Sequence, residues 1–239
     1  MNKQSNLYPA FNDKILILIP TYQHLRILKV FFSSLVNLLD TDSNILAVCL
    51  DNNSDQPIKK FLSSLSHPQL FVELLPENIG KGNGLNQFIE RNLNSTNLPK
   101  VIVSLDSDII FSPESFHYLI KAVCQIPNAG IIGMKYEKNQ CNPERNLFFP
   151  AKKIKGENNE IFSINIPFLC NVAGGIIAIK GTILEKQLNF ELYPRSKGRV
   201  CYPDDGWLHD KLKPYKFING YLNGAYASHL KSAKGIYLV

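Results

Sequence analysis

Two carboxylates stand two residues apart, Asp106 and Asp108 with Ser107 between them, directly after the apolar run 101–105. In an extended segment such a pair points the same way, and carboxylates side by side repel unless a cation sits near them. A hard divalent ion, Mg²⁺ or Mn²⁺, takes oxygen ligands and bridges to phosphate oxygens. The plainer alternative is a polar strand end whose aspartates cap the next turn. Asp51 ends a second apolar run, 45–50, and Pro20-Thr21-Tyr22 ends a first, 15–19. A carboxylate can accept from the imide N–H of a uracil ring, and a tyrosine ring can stack on the base. Turn chemistry is the competing account here too, since Asp51-Asn52-Asn53-Ser54-Asp55 can fold back on its own backbone. A third cluster, Asn78-Ile79-Gly80-Lys81-Gly82-Asn83-Gly84, offers close backbone approach through its glycines and a Lys81 ammonium for phosphate. It matches neither of the standard glycine-rich phosphate-loop patterns.

These clusters share a position: each follows an apolar run. Ile15 to Ile19 shows no alternation, as a strand buried on both faces should not. Leu25, Leu28, Phe32, Leu35 and Leu39 recur at helical spacing. Residues 45–50, 70–75 and 101–105 predict three more strands, with helices over 57–65 and within 80–93. Ser112-Pro113-Glu114 is a strong helix start. This strand–helix rhythm predicts an α/β fold, Rossmann-like, with a mostly parallel central sheet and helices on both faces. Ligands then sit beyond the carboxyl ends of the strands, where the clusters lie. The second half is less regular. Strands are expected near 131–136, 161–168 and 174–179, a loop or irregular insertion over 138–160, and a helix over 205–212. One domain spanning 1–239 is expected: a tail over about 1–13, a first half over about 15–110 and a second half over about 130–239.

Composition narrows the class. At 45% hydrophobic and 19% charged, the 239-residue chain is not a disordered one. No apolar run approaches the ~18 residues of a membrane-spanning helix. The polar start, Met1 to Asp13, lacks a signal peptide's apolar stretch, so a cytoplasmic protein is expected. Five scattered cysteines form no C-x-x-C pair and fit reduced thiols. The net charge of +6 is uneven. Residues 180–239 hold ten basic and five acidic side chains, a net of +5. An anionic partner would account for it, and so would a solvated lysine face.

Taken in order, Ile17-Leu18-Ile19-Pro20-Thr21-Tyr22, Asp51-Asn52-Asn53-Ser54-Asp55, Asn78-Ile79-Gly80-Lys81 with Asn86, and Ser104-Leu105-Asp106-Ser107-Asp108 resemble the motifs of the family 2 glycosyltransferases of GT-A fold. Looser matches follow in the glycine pair Gly174-Gly175 and in the acidic pair Asp204-Asp205 opening a helix. The family's usual acidic pair is Glu-Asp, so the shorter Asp204 leaves open which carboxylate is the base. The Q-x-x-R-W stretch and membrane helices of polymer-making members are absent, which implies a non-processive enzyme.

The resemblance implies an inverting transfer of a sugar from a nucleoside-diphosphate donor, expected to be a UDP-sugar, to an acceptor hydroxyl. Pro20, Thr21, Tyr22, Asp51, Asn53, Asn78, Gly80, Lys81, Asp106 and Ser107 would hold the donor, with Asp51 toward the base. Asp108, helped by Asp106 and His229, would hold Mn²⁺ or Mg²⁺. Asp205, with Asp204 beside it, would be the general base. Gly174, Gly175 and Trp207 would line the acceptor side, although a core role is the better-favoured reading of a lone Trp. Family context implies a surface-glycan or polysaccharide pathway and a glycan, lipid-linked or protein acceptor. The basic end, with Arg195, Lys197, Arg199, Lys211, Lys213 and Lys216, would meet such an acceptor or an anionic membrane at the inner face of the cell. A D-x-D phosphatase of haloacid dehalogenase type is the nearest rival; there the motif follows the first strand, not the fourth. An inactive nucleotide-sugar-binding or nucleic-acid-binding module is the non-enzymatic rival, and no nucleic-acid signature appears.

Overall fold

The computed structural model describes residues 8–136, 150–167, 172, 175–195 and 204–230; the side chains of Asp204 and Asp205 lie outside that description. Gly174, Lys197 and Arg199 also lie outside it. The first half runs β1 (Ile15–Thr21), α1 (Leu25–Leu39), β2 (Ile45–Asp51), α2 (Gln56–Ser64), β3 (Leu70–Leu74), α3 (Lys81–Asn92), β4 (Val101–Leu105), β5 (Ile109–Phe111) and α4 (Pro113–Gln125). Then come β6 (Ala129–Tyr136), β7 (Lys152–Lys155), β8 (Ile161–Asn165), β9 (Ile176–Lys180), α5 (Gly181–Lys186), α6 (Asp204–Leu212), a 3₁₀ turn (Lys213–Tyr215) and β10 (Ile218–His229).

One sheet takes the order β3-β2-β1-β4-β9-β6-β10-β8-β7, with β5 pairing β10. β1 to β4 are mutually parallel, and β6 and β10 share their direction through the antiparallel β9. The mostly parallel sheet expected from the sequence is therefore present, closed at its far side by the antiparallel hairpin of β7 and β8.

The unbroken apolar run of β1 has a direct cause. Ile15, Ile17 and Ile19 enter one core cluster with α1, α2 and α4, including Phe31, Phe32, Leu62 and Phe116. Leu16 and Leu18 enter a second with α3, α5 and α6, including Phe88, Leu184 and Leu208. Each strand residue therefore meets a helix layer whichever way its side chain points, and every such burial contributes about 1.5–3 kcal/mol. α4 begins as its sequence predicts: the Ser112 hydroxyl accepts from the Ser115 N–H at 3.2 Å, and Pro113 follows.

Four elements depart from the sequence expectation. Part of the loop expected over 138–160 is the strand β7, whose lysine-rich sequence hides an edge strand protected by charge. β5 is only three residues long and pairs with a strand more than 100 positions away. β10 carries two asparagines and two glycines that mask its apolar pattern, and α5 is a six-residue helix. None of the helices among the described residues is long and apolar enough to cross a membrane.

Truncating a central β1 residue of the first core cluster tests this packing. Ile17→Ala, at a position with no solvent exposure, should cost about 2–5 kcal/mol, measured by urea denaturation.

Candidate functional site

The carboxyl ends of β1, β2 and β4 and the start of α3 enclose a cleft of about 600 Å³. Its geometry begins with Asp51. That carboxylate is fully buried at the end of β2. One oxygen accepts from the Ser54 hydroxyl at 2.6 Å and the Thr21 hydroxyl at 3.2 Å. The other accepts from the Ser54 N–H at 2.9 Å. A buried charge without such donors would be costly. Ser54 Oγ in turn accepts the Gln23 N–H at 2.8 Å, which fixes the turn from β1 into α1. Gln23 and His24 both hold positive φ there, 60° and 63°. Cys49, beside Thr21 at 3.5 Å, has its thiol pushed up to about 12 by burial, so it adds no second negative charge.

Asp51, expected at the base, thus lies beneath the cleft wall and braces it. The neighbouring Asn52 is the residue that lines the cleft. Its side chain is buried, and its Oδ1 has no hydrogen-bond partner among the described residues. Asn53 is turned away, its Oδ1 accepting from Lys59 Nζ. Pro20, Thr21 and Tyr22 line the cleft as expected, with Tyr22 47% exposed and available to stack. Gln23, His24, Ile27 and Leu28 complete this wall; their motif-free sequence gave no signal for it.

The opposite wall is the glycine-rich turn. Asn78 Oδ1 accepts the Gly80 N–H at 3.0 Å, and Gly80 takes φ 84°, a conformation open to glycine. α3 then starts at Lys81 with no side chain capping it. Lys81 Nζ lies 2.7 Å from Asp106 Oδ1.

Asp106-Ser107-Asp108 is a tight turn and not the extended segment that the two-residue spacing suggested: the Ile109 N–H bonds the Asp106 carbonyl at 3.1 Å. Its two carboxylates have separate partners. Asp106 takes Lys81, while Asp108 Oδ2 lies 3.7 Å from His229 Nε2. The structure therefore brings His229 to Asp108 across 121 positions of sequence, by pairing β10 with β5. Leu230 N–H donates to the Asp108 carbonyl at 2.8 Å and holds that approach. Gly175 stands behind the turn, its carbonyl accepting from the Asp106 N–H at 2.8 Å. A Cβ at Gly175 would fall 2.0 Å from the Tyr136 hydroxyl.

Among the described residues no group of three or more His, Cys, Asp and Glu is poised to hold a metal. Asp108 with His229 offers two ligands, and a hard ion bound to one or two protein groups fills its remaining positions with water and substrate phosphates. The residues present fit a nucleotide-linked Mn²⁺ or Mg²⁺, not a cage of protein ligands.

Trp207 packs on the second core cluster with Lys211 Nζ 5.4 Å from its ring centroid. Asp204 and Asp205 open α6. Arg195, expected to face an anionic acceptor, is paired with Glu90 and Glu191. Lys213 and Lys216 flank the turn into β10, whose first residue aligns with Ala129 at the start of β6. That is the end of the sheet away from the cleft.

Solved structures of like fold are GT-A glycosyltransferases. A mannosyltransferase from Pyrobaculum calidifontis, in complex with GDP-Man and Mn²⁺, aligns with TM-score 0.66 at 14% identity, over 96% of this chain and 62% of that one. S. aureus TarS 1-349, in complex with UDP-GlcNAc, aligns with TM-score 0.60 at 16% identity, over 94% and 62%. A longer S. aureus TarS structure gives 0.59 at 15% identity and is covered to 36%. The chain thus spans about 62% of the length of the first two. No curated protein sequence matches it. The model of Glycosyl transferase family 2 matches residues 16–177, more than half of the chain. With its motifs at the strand ends of a GT-A sheet, the chain belongs to that family.

Ser54→Ala removes the donor to Asp51 and the acceptor for Gln23 together. It should cost about 1–3 kcal/mol, measured by chemical denaturation, and should weaken ligand binding in the cleft.

Proposed function

We propose that this protein is an inverting, non-processive glycosyltransferase that moves a sugar from a nucleoside-diphosphate donor to an acceptor hydroxyl. The observation that carries the reading is the joining of three strand-end elements around one cleft: the Tyr22 and Asn52 wall, Lys81 at the start of α3, and the Asp106-Ser107-Asp108 turn with His229. Tyr22 stacks on the base, with Thr21 and Asn52 beside it and Asp51 bracing them from behind. Lys81 and the turn face the diphosphate. The whole chain acts as one domain, with the donor on residues 15–110 and the acceptor on the later half.

Asp108 and His229 would hold a divalent ion, which supplies charge neutralisation of the leaving diphosphate. A Mn²⁺ ion accompanies GDP-Man in the mannosyltransferase of like fold, and a hard ion with a histidine ligand suits Mn²⁺ as well as Mg²⁺. Asp205 takes the proton of the acceptor hydroxyl as that oxygen attacks the anomeric carbon. The new C–O bond forms opposite the breaking bond to the diphosphate oxygen, which keeps the electron pair, and the configuration inverts. Asp204 stands beside the base as the second carboxylate of the pair. A UDP-sugar is the first donor to test and a GDP-sugar the second. A surface glycan or a lipid-linked precursor is the expected acceptor class.

Two measurements test this. UDP and GDP, each with Mn²⁺, should stabilise the protein by roughly 2.7 kcal/mol at about 100 Kd; the Asp108→Ala variant should lose the metal-dependent part. Silence from every nucleotide sugar in a thermal-shift screen would sink the donor reading. Once a donor is found, Asp205→Asn should bind it with unchanged affinity and lower turnover by at least about 10²-fold. Near-normal turnover would remove Asp205 from the scheme.

A further inference from the structure

We infer that Tyr193 is a positioning residue of the cleft, holding the Lys81 ammonium against Asp106. The tyrosine comes from the far half of the chain, 112 positions beyond Lys81, and its own placement is heavily specified. Asn86 on α3 accepts the N–H groups of Leu192 and Tyr193 at 3.0 and 3.2 Å and donates to the Tyr193 carbonyl at 2.7 Å. One turn further along α3, Glu90 pairs with Arg195. The Tyr193 hydroxyl meets the Ser104 hydroxyl at 2.5 Å, two positions before Asp106. A Cβ at Gly82 would lie 3.0 Å from Tyr193 Cβ, so a glycine lets the helix approach the tyrosine this closely.

The result is a ring that is 1% exposed, with Lys81 Nζ 5.3 Å from its centroid and 2.7 Å from Asp106 Oδ1. A lysine has a long stem, and fixing it costs up to about 2 kcal/mol of rotamer entropy. A carboxylate that is partly exposed gives only a modest return. The aromatic face adds an attraction of about 0.5–2 kcal/mol at a defined place. Together they keep the cation set before an anion arrives, so binding requires little reorganisation. A tyrosine that only filled the core would be satisfied by its Ser104 bond and would leave Lys81 indifferent to the ring.

The position of Lys81 can be tested without any nucleotide. Native full-length protein is acetylated under limiting reagent, and each lysine's rate is read by mass spectrometry. Tyr193→Phe keeps the ring, and Lys81 should react within twofold of the wild-type rate. Tyr193→Leu removes the ring, and Lys81 should react at least fivefold faster, while the exposed Lys29 and Lys60 are unchanged. Should the leucine variant not fold, Tyr193→Met serves as the second ring-less form. An unchanged Lys81 rate in a folded ring-less variant overturns the inference. The consequence for binding rests on the donor reading above. With Mn²⁺, the Kd of UDP or GDP should rise at least fivefold in the ring-less variant and stay within twofold in Tyr193→Phe. Wild-type protein that binds neither nucleotide would defeat the donor reading, with the acetylation rates still deciding the role of Tyr193.

Discussion

The buried carboxylate of Asp51 is the constraint on which the cleft wall at the ends of β1 and β2 depends. A charge removed from water must be met by hydrogen-bond donors, and here those donors come from the end of β1 and from the turn that follows β2. Thr21 belongs to β1, Ser54 to the turn after β2, and Ser54 passes the restraint on to the backbone of Gln23. The backbone of Gln23 and His24 takes two successive positive φ values that neither residue type favours. Such a conformation persists only where its surroundings over-determine it, and the Asp51 bracket provides that. The same bracket sets Tyr22 and Asn52 at the cleft surface.

The acidic turn depends on the other half of the chain. Its inner N–H donates to Gly175 at the entrance to β9, and its Asp108 carbonyl is bonded by Leu230 at the end of β10. Thus β9 and β10, from the later part of the chain, hold the turn that carries Asp106 and Asp108. Tyr193 and Asn86 tie the two halves a second time, on the opposite side of the cleft. Among the described residues, the earlier and later parts of the chain are thus tied together at both places.

What the sequence made legible follows from where the determinants are local. β1, α1 and β4 are specified by unbroken apolar runs and helical spacing, and their ends are where the motifs stand. α4 was legible from Ser112 and Pro113 alone. The partnership of Asp108 with His229 was expected from the family resemblance alone and not from local pattern, because it needs the three-residue β5 to pair with a strand whose pattern is broken by Asn219, Gly220 and Gly224. Nor could residue type place Asp51 below the cleft and Asn52 at it: both are polar residues at one strand end, and which of them faces a ligand is decided by the donors packed around them. The two-residue spacing of Asp106 and Asp108 suggested convergence only on the premise of extended backbone. A tight turn removes that premise and gives each carboxylate its own cationic or titratable partner.

The charge of the cleft then bears on how a donor enters. Among its lining residues Lys81 carries one positive charge and Asp106 and Asp108 two negative ones. A nucleoside diphosphate approaching this lining meets a net negative surface, although the chain as a whole is basic. Of the described basic residues of 180–239, Arg195 is committed to Glu90 and Glu191, and Lys213 and Lys216 lie at the other end of the sheet. With Lys81 already held by Asp106, the uncompensated charge is that of Asp108. Under the proposed function, a divalent cation entering with the diphosphate is the simplest way to reverse the sign. That electrostatic argument, independent of any motif, favours metal and nucleotide binding here as one event.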